Sequence, residues 1–207
     1  MPKIYSIRPT WRLKGRRSQG LRGFTGKPFH PPLTDFPIVC YSLAAVFDLI
    51  SYLSPADDAK AQDFFAAATF VMVAGFIVSL GAALTGFLDW WKGIPRDRRS
   101  GPIGRAKRTQ VWRTINWHAT VMVTVTVITL VDLLLRIPAF DEAQTQTAWL
   151  VLSVLAAGLV MFGAAYGGTL VFEYGFNVEN VEEVWQESEQ DHVRQDRRRP
   201  GDGTGTA

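Results

Sequence analysis

A chain of 207 residues with 22 Lys and Arg against 19 Asp and Glu fits one domain, and its 47% hydrophobic content is that of an ordinary soluble protein. That average hides a sorting, because eight basic residues and no acid precede His30 and eight more basic residues lie between Asp89 and Thr114. The single cysteine, Cys40, excludes an internal disulfide, and without a nucleophile–base pair, a phosphate loop or a metalloprotease helix motif a hydrolase has nothing to rest on.

Residues 1–28 form a basic tail, read as solvated and close to anionic head groups. Four apolar runs follow, at about 36–53, 64–90, 119–135 and 148–172. Each is near the roughly 20 helical residues that cross a hydrocarbon core of about 30 Å. Helices buried in a soluble bundle keep a polar stripe, whereas these runs are apolar on every side. The expected fold is therefore all-α, a four-helix transmembrane bundle with up-down-up-down order over residues 29–178. Pro31, Pro32 and Pro37 bracket the start of the first span, with Thr34 or Asp35 as its predicted cap.

Basic residues are retained on the cytoplasmic side of a membrane. Sixteen of the 22 lie in the tail and in the loop between spans two and three, while "SPADDAKAQD" and "RIPAFDEAQTQT" hold one each. This predicts cytoplasmic termini, and the same topology accounts for the basic blocks without nucleic acid. Trp90, Trp91, Trp112 and Trp117 suit an aromatic belt at the ends of spans two and three. Gly163, Ala164, Gly167 and Gly168 give span four a small face for close helix contact, and Gly75, Gly81, Ala82 and Gly86 do the same for span two. Residues 179–207 form a cytoplasmic tail with a short amphipathic segment around Val178, Val181, Val184 and Trp185, beyond which His192 is read as an exposed histidine without function.

Intramembrane ionisable residues are the functional candidates. His30 and His118 stand at the same end of spans one and three, which run in one direction and sit diagonally in such a bundle. Asp48, 12 residues past Phe36, and Asp132, 14 past His118, lie about 18 and 21 Å deeper at 1.5 Å per residue. Two neutral imidazoles at one depth suit the axial positions of a b-type haem. They also suit hydrogen bonds at a helix interface, to Asp89, Asn116 or Glu173. Zinc would need further ligands, and only carboxylates are on offer. Proton or ion passage through Asp48 and Asp132 lacks the broken helix that marks a transport site.

The segments "HPPLTDFPIVCYSLAAVFDLI", "ALTGFLDWW", "NWHATVMVTVTVITLVDLLLR" and "YGGTLVFEYGFNV" together resemble the DUF2231 family of bacterial membrane proteins. The resemblance implies four transmembrane helices and an activity not yet characterised, and the attachment of Rieske or cytochrome domains to some members implies redox work. It places motif positions at His30, Asp89 and His118. At Tyr174, where many relatives carry histidine, this chain departs from the pattern.

The expectation is a multi-pass protein of the bacterial cytoplasmic membrane that holds haem b between helices one and three, with no other metal. Its partners would be the lipid bilayer, quinone or a membrane redox complex, and a second copy in a homo-oligomer. The alternative is a non-catalytic accessory subunit of a larger membrane complex. Neither reading is a stand-alone enzyme.

Overall fold

The computed structural model describes residues 28–93 and 110–178. They form four helices, α1 (His30–Leu53), α2 (Ala59–Gly93), α3 (Gln110–Arg136) and α4 (Thr147–Phe172), with a 3-10 turn at Ile137–Ala139 after α3. All four are long and apolar enough to cross a membrane. The basic tail, the loop between α2 and α3, and the amphipathic segment with His192 lie outside the described residues.

The predicted spans are all present, and three of the helices are longer than their apolar cores. α1 begins at His30, six residues before the expected start, so Thr34 and Asp35 lie inside the helix and do not cap it. The cap position is Phe29, which offers no side-chain bond. Prolines within the first turn are tolerated because the N–H groups they lack would have no intrahelical partner. The hydroxyl of Thr34 instead bonds Pro31 O at 2.7 Å. α3 likewise starts at Gln110, nine residues before the apolar run, and gains about 13 Å of length at the tryptophan end.

α1 packs mainly on α2 and α3 mainly on α4, with α1 also meeting α4 and α2 meeting α3. The helices thus follow each other around the bundle, leaving α1 and α3 on one diagonal. The α1–α2 crossing is close because Gly75 has no side chain: a Cβ there would come within 2.6 Å of Cys40 Cβ. Cys40, a free thiol, fills the core as a small apolar residue together with Tyr41, Ala44, Met72, Val125 and Val160. The outer faces stay apolar, with Phe70, Ile77, Leu84, Leu134 and Val151 all exposed. Water would disfavour so much continuous apolar surface, and lipid does not.

Candidate functional site

Polar chemistry is concentrated at the two ends of the α1–α3 diagonal. His30, the first residue of α1, and His118, two turns into α3, stand with ring centroids 6.3 Å apart and planes at 86°. His30 Nδ1 lies 2.9 Å from Ala82 O on α2 and 3.3 Å from Thr85 Oγ1. His118 Nδ1 lies 2.9 Å from Gly163 O on α4. A carbonyl oxygen only accepts, so each Nδ1 carries its hydrogen and donates it. In the neutral ring this leaves a lone pair on each Nε2, and among the described residues neither Nε2 has a hydrogen-bond partner.

Glycines make room for both rings. A Cβ on Gly86 would stand 2.7 Å from His30 Cε1, and one on Gly167 would stand 3.3 Å from His118 Cε1. The small faces foreseen on α2 and α4 are thus the surfaces on which the imidazoles lie.

Of the other expected histidine partners, Asn116 donates to Trp112 O at 2.6 Å in its own helix, and Glu173 is exposed beyond α4. Asp89 is buried near the end of α2, a turn past the Gly86 that His30 touches. Tyr174 is exposed in the turn after α4, where its N–H bonds Thr169 O, and it takes no part in the histidine pair. Phe87, Trp90 and Trp91 form an aromatic cluster at the end of α2, with Phe87 and Trp90 stacked at 5.8 Å.

At the opposite end Asp48 and Asp132 do come together, but through a cation that sequence reasoning had assigned to the loop. Arg136 is fully buried and grips both carboxylates. Its Nη1 and Nη2 reach Asp48 Oδ1 and Oδ2 at 3.1 and 2.9 Å. Nε and Nη2 reach Asp132 Oδ1 and Oδ2 at 3.1 and 3.0 Å. Thr145, ahead of α4, donates its hydroxyl to Asp48 Oδ1 at 2.9 Å, and Thr69 on α2 lies 3.4 Å from Nη1. The stacked rings of Phe65 and Trp149 flank the guanidinium, whose carbon is 5.8 and 6.0 Å from their centroids. Two bidentate pairs on one planar fork are what arginine does and lysine cannot. The signal for Arg136 was present in the sequence: Asp132 and Arg136 are four apart on one apolar helix, a spacing that places them on one face.

Ser51 closes this end. Its hydroxyl donates to Ala61 O at 2.7 Å and accepts from the Thr145 N–H at 2.9 Å, tying α1, α2 and the α3–α4 connection together.

The family described as predicted membrane protein (DUF2231) matches residues 26–180, three quarters of the chain. The chain belongs to the DUF2231 family. The match spans all four helices of this DUF2231 protein and both polar ends of its diagonal. No curated protein and no solved structure matches it.

Proposed function

We propose that this DUF2231 protein holds one b-type haem between α1 and α3, with His30 and His118 as axial ligands, and that it serves membrane electron transfer. The state of the ring nitrogens carries the reading. Histidines that bind metals commonly donate the second ring N–H to a backbone carbonyl, which fixes the tautomer and aims the other nitrogen at the metal. Ala82 O and Gly163 O supply that on opposite sides of the bundle. The two rings stand close together, with centroids 6.3 Å apart. An edge-to-face aromatic pair also spans such a distance. Both Nδ1–H groups donate to carbonyls, which fixes each ring's tautomer and which a buried imidazole also does without a metal. Haem bound there supplies reversible one-electron transfer. The protein's part would be to hold two imidazoles by their Nδ1–H groups, with Gly86 and Gly167 making room for the rings.

The basic segments support a cytoplasmic setting for the histidine end in a bacterial inner membrane. Quinone or a redox subunit would then be met on that side. Protease added to the cytoplasmic face of inverted vesicles should remove both tails, and protection of either one would reverse the orientation.

The deciding experiment is an absorption spectrum of protein produced with ample haem, oxidised and then reduced with dithionite. A low-spin spectrum that sharpens on reduction is expected. Colourless protein would remove haem, and the accessory-subunit reading, which the exposed apolar faces of all four helices also suit, would take its place.

A further inference from the structure

The charges at the Arg136 end do not balance. Asp48, Asp132 and Arg136 are all fully buried, so two carboxyl groups share one guanidinium. Their other partners are neutral: Thr69 and Phe65 on α2, Thr145 in the α3–α4 connection and Trp149 on α4. Among the described residues, the remaining charged side chains at this end, Asp57, Asp58, Lys60, Asp63, Asp141 and Glu142, are exposed. All but Lys60 are acids, so the surroundings add negative potential and bring no second cation to the buried site.

Fully ionised, the cluster would carry one net negative charge away from water, inside a helix bundle that lies in lipid. A buried charge without a counter-charge is so unfavourable that the group is neutralised instead. The geometry indicates how. Nη2 of Arg136 is 2.9 Å from Asp48 Oδ2 and 3.0 Å from Asp132 Oδ2, so the two acids converge on one nitrogen. A metal cation would have to enter beside the guanidinium and would be repelled by it. A proton needs no cavity. Asp48 Oδ1 accepts from both Nη1 and Thr145, whereas the other three carboxyl oxygens accept one bond apiece and keep a lone pair for it.

We propose that the Asp48–Asp132 pair holds one proton, which makes the three-residue cluster neutral and turns it into a pH-sensitive clasp between α1 and α3. The proton belongs to the pair and lies within the closed network, so it is stored there and not passed across the membrane. While it stays, the guanidinium balances the one remaining carboxylate. When it leaves, two carboxylates repel each other across Nη2, at the end where Ser51 and Thr145 tie the bundle shut. The folded bundle thus holds a proton that separated acids give up at neutral pH, so its stability is complete at acid pH and is lost as the pH rises. The clasp stands independently of haem.

The test is infrared spectroscopy of the full chain in lipid nanodiscs, joined to melting at several pH values. A protonated carboxyl group has a C=O stretching band that a carboxylate lacks and that shifts in heavy water. At about pH 6, where free Asp and Glu are ionised, the parent should show this band. Asp48→Asn and Asp132→Asn should each lose it, because either change leaves one acid matched to one arginine. As the pH is raised, the parent band should vanish while the melting temperature falls by about 3–5 °C per pH unit, a fall absent from both asparagine variants. Absence of the band from the parent, its survival in either variant, or a parent band that persists while melting falls would overturn the proposal. So would melting that follows sodium concentration at fixed pH, which would put a metal cation in the proton's place. The parent measurements decide even where a variant does not fold.

Discussion

The two ends of the α1–α3 diagonal use charged or ionisable side chains in opposite ways. At the Arg136 end, all of the guanidinium nitrogens are engaged by carboxylates or Thr69, Asp48 has Thr145 in addition, and aromatic rings cover what remains. At the histidine end each ring spends one nitrogen on a carbonyl and keeps the other. A network that closes on itself has no capacity left for a ligand, so its product is a fixed helix arrangement. A pair of rings that each keep one nitrogen without a partner among the described residues has that capacity. The same contrast separates a buried ion pair that is saturated by its partners from a histidine pair that is not.

The largest effect should come from breaking the closed end. Arg136→Leu leaves two carboxylates buried without a cation, a loss of about 3–5 kcal/mol. Yield of monodisperse protein should collapse. Arg136→Lys keeps the charge but cannot form two bidentate pairs, so it should fold with a lowered melting temperature. If both variants matched the parent in yield and melting, the cluster would not be what holds α1 to α3.

An intermediate effect is expected at the open end, and there it should fall on the ligand more than on the fold. If haem is held as proposed, His30→Ala and His118→Ala would each remove one iron ligand, so spin state and haem retention should change while the helices stay formed by circular dichroism. His192→Ala should leave the spectrum alone. Parent-like spectra from both alanine variants would place the haem elsewhere or nowhere.

How much of this was legible in the sequence depends on whether the cause is local. The four helices were, because a lipid-facing surface demands long uninterrupted apolar runs. The start of α1 was not: "HPPLTD" reads as a cap and approach, and only packing of His30 against Ala82 and Gly86 draws that stretch into the helix. That the histidines share one end and the aspartates the other was legible from helix rise, although with His30 inside α1 the separations become about 27 and 21 Å, so the exact depths were not. The cation between the aspartates is hard to see in the sequence because Arg136 ends an apolar run and opens the segment "RIPAFDEAQTQT", which reads as a loop. Thr145 and Thr69 could not have been found at all, since their approach to Asp48 and Arg136 is set by how the α3–α4 connection folds back and by the α2 register. The same holds for the carbonyl partners of the histidines, which carry no side-chain signature.

The smallest effects should come from the glycines, and they grade the histidine end from one side to the other. A Cβ on Gly86 would approach three atoms of the His30 ring, at 2.7, 3.0 and 3.2 Å, so Gly86→Ala must push the imidazole away or tilt it. That movement strains the Nδ1–H bond to Ala82 O and turns Nε2 off its line. On Gly167 the added Cβ would meet the His118 ring at 3.3 and 3.6 Å, which a shift of a few tenths of an ångström relieves. Gly86→Ala should therefore lower the haem-to-protein ratio after gel filtration, and Gly167→Ala should lower it less. Both should melt within a few degrees of the parent, because alanine is the better helix former by roughly 1 kcal/mol and offsets part of the crowding. Equal loss from the two variants would mean that retention follows general packing of α2 and α4, and the aim of each imidazole would no longer explain why glycine stands beside it.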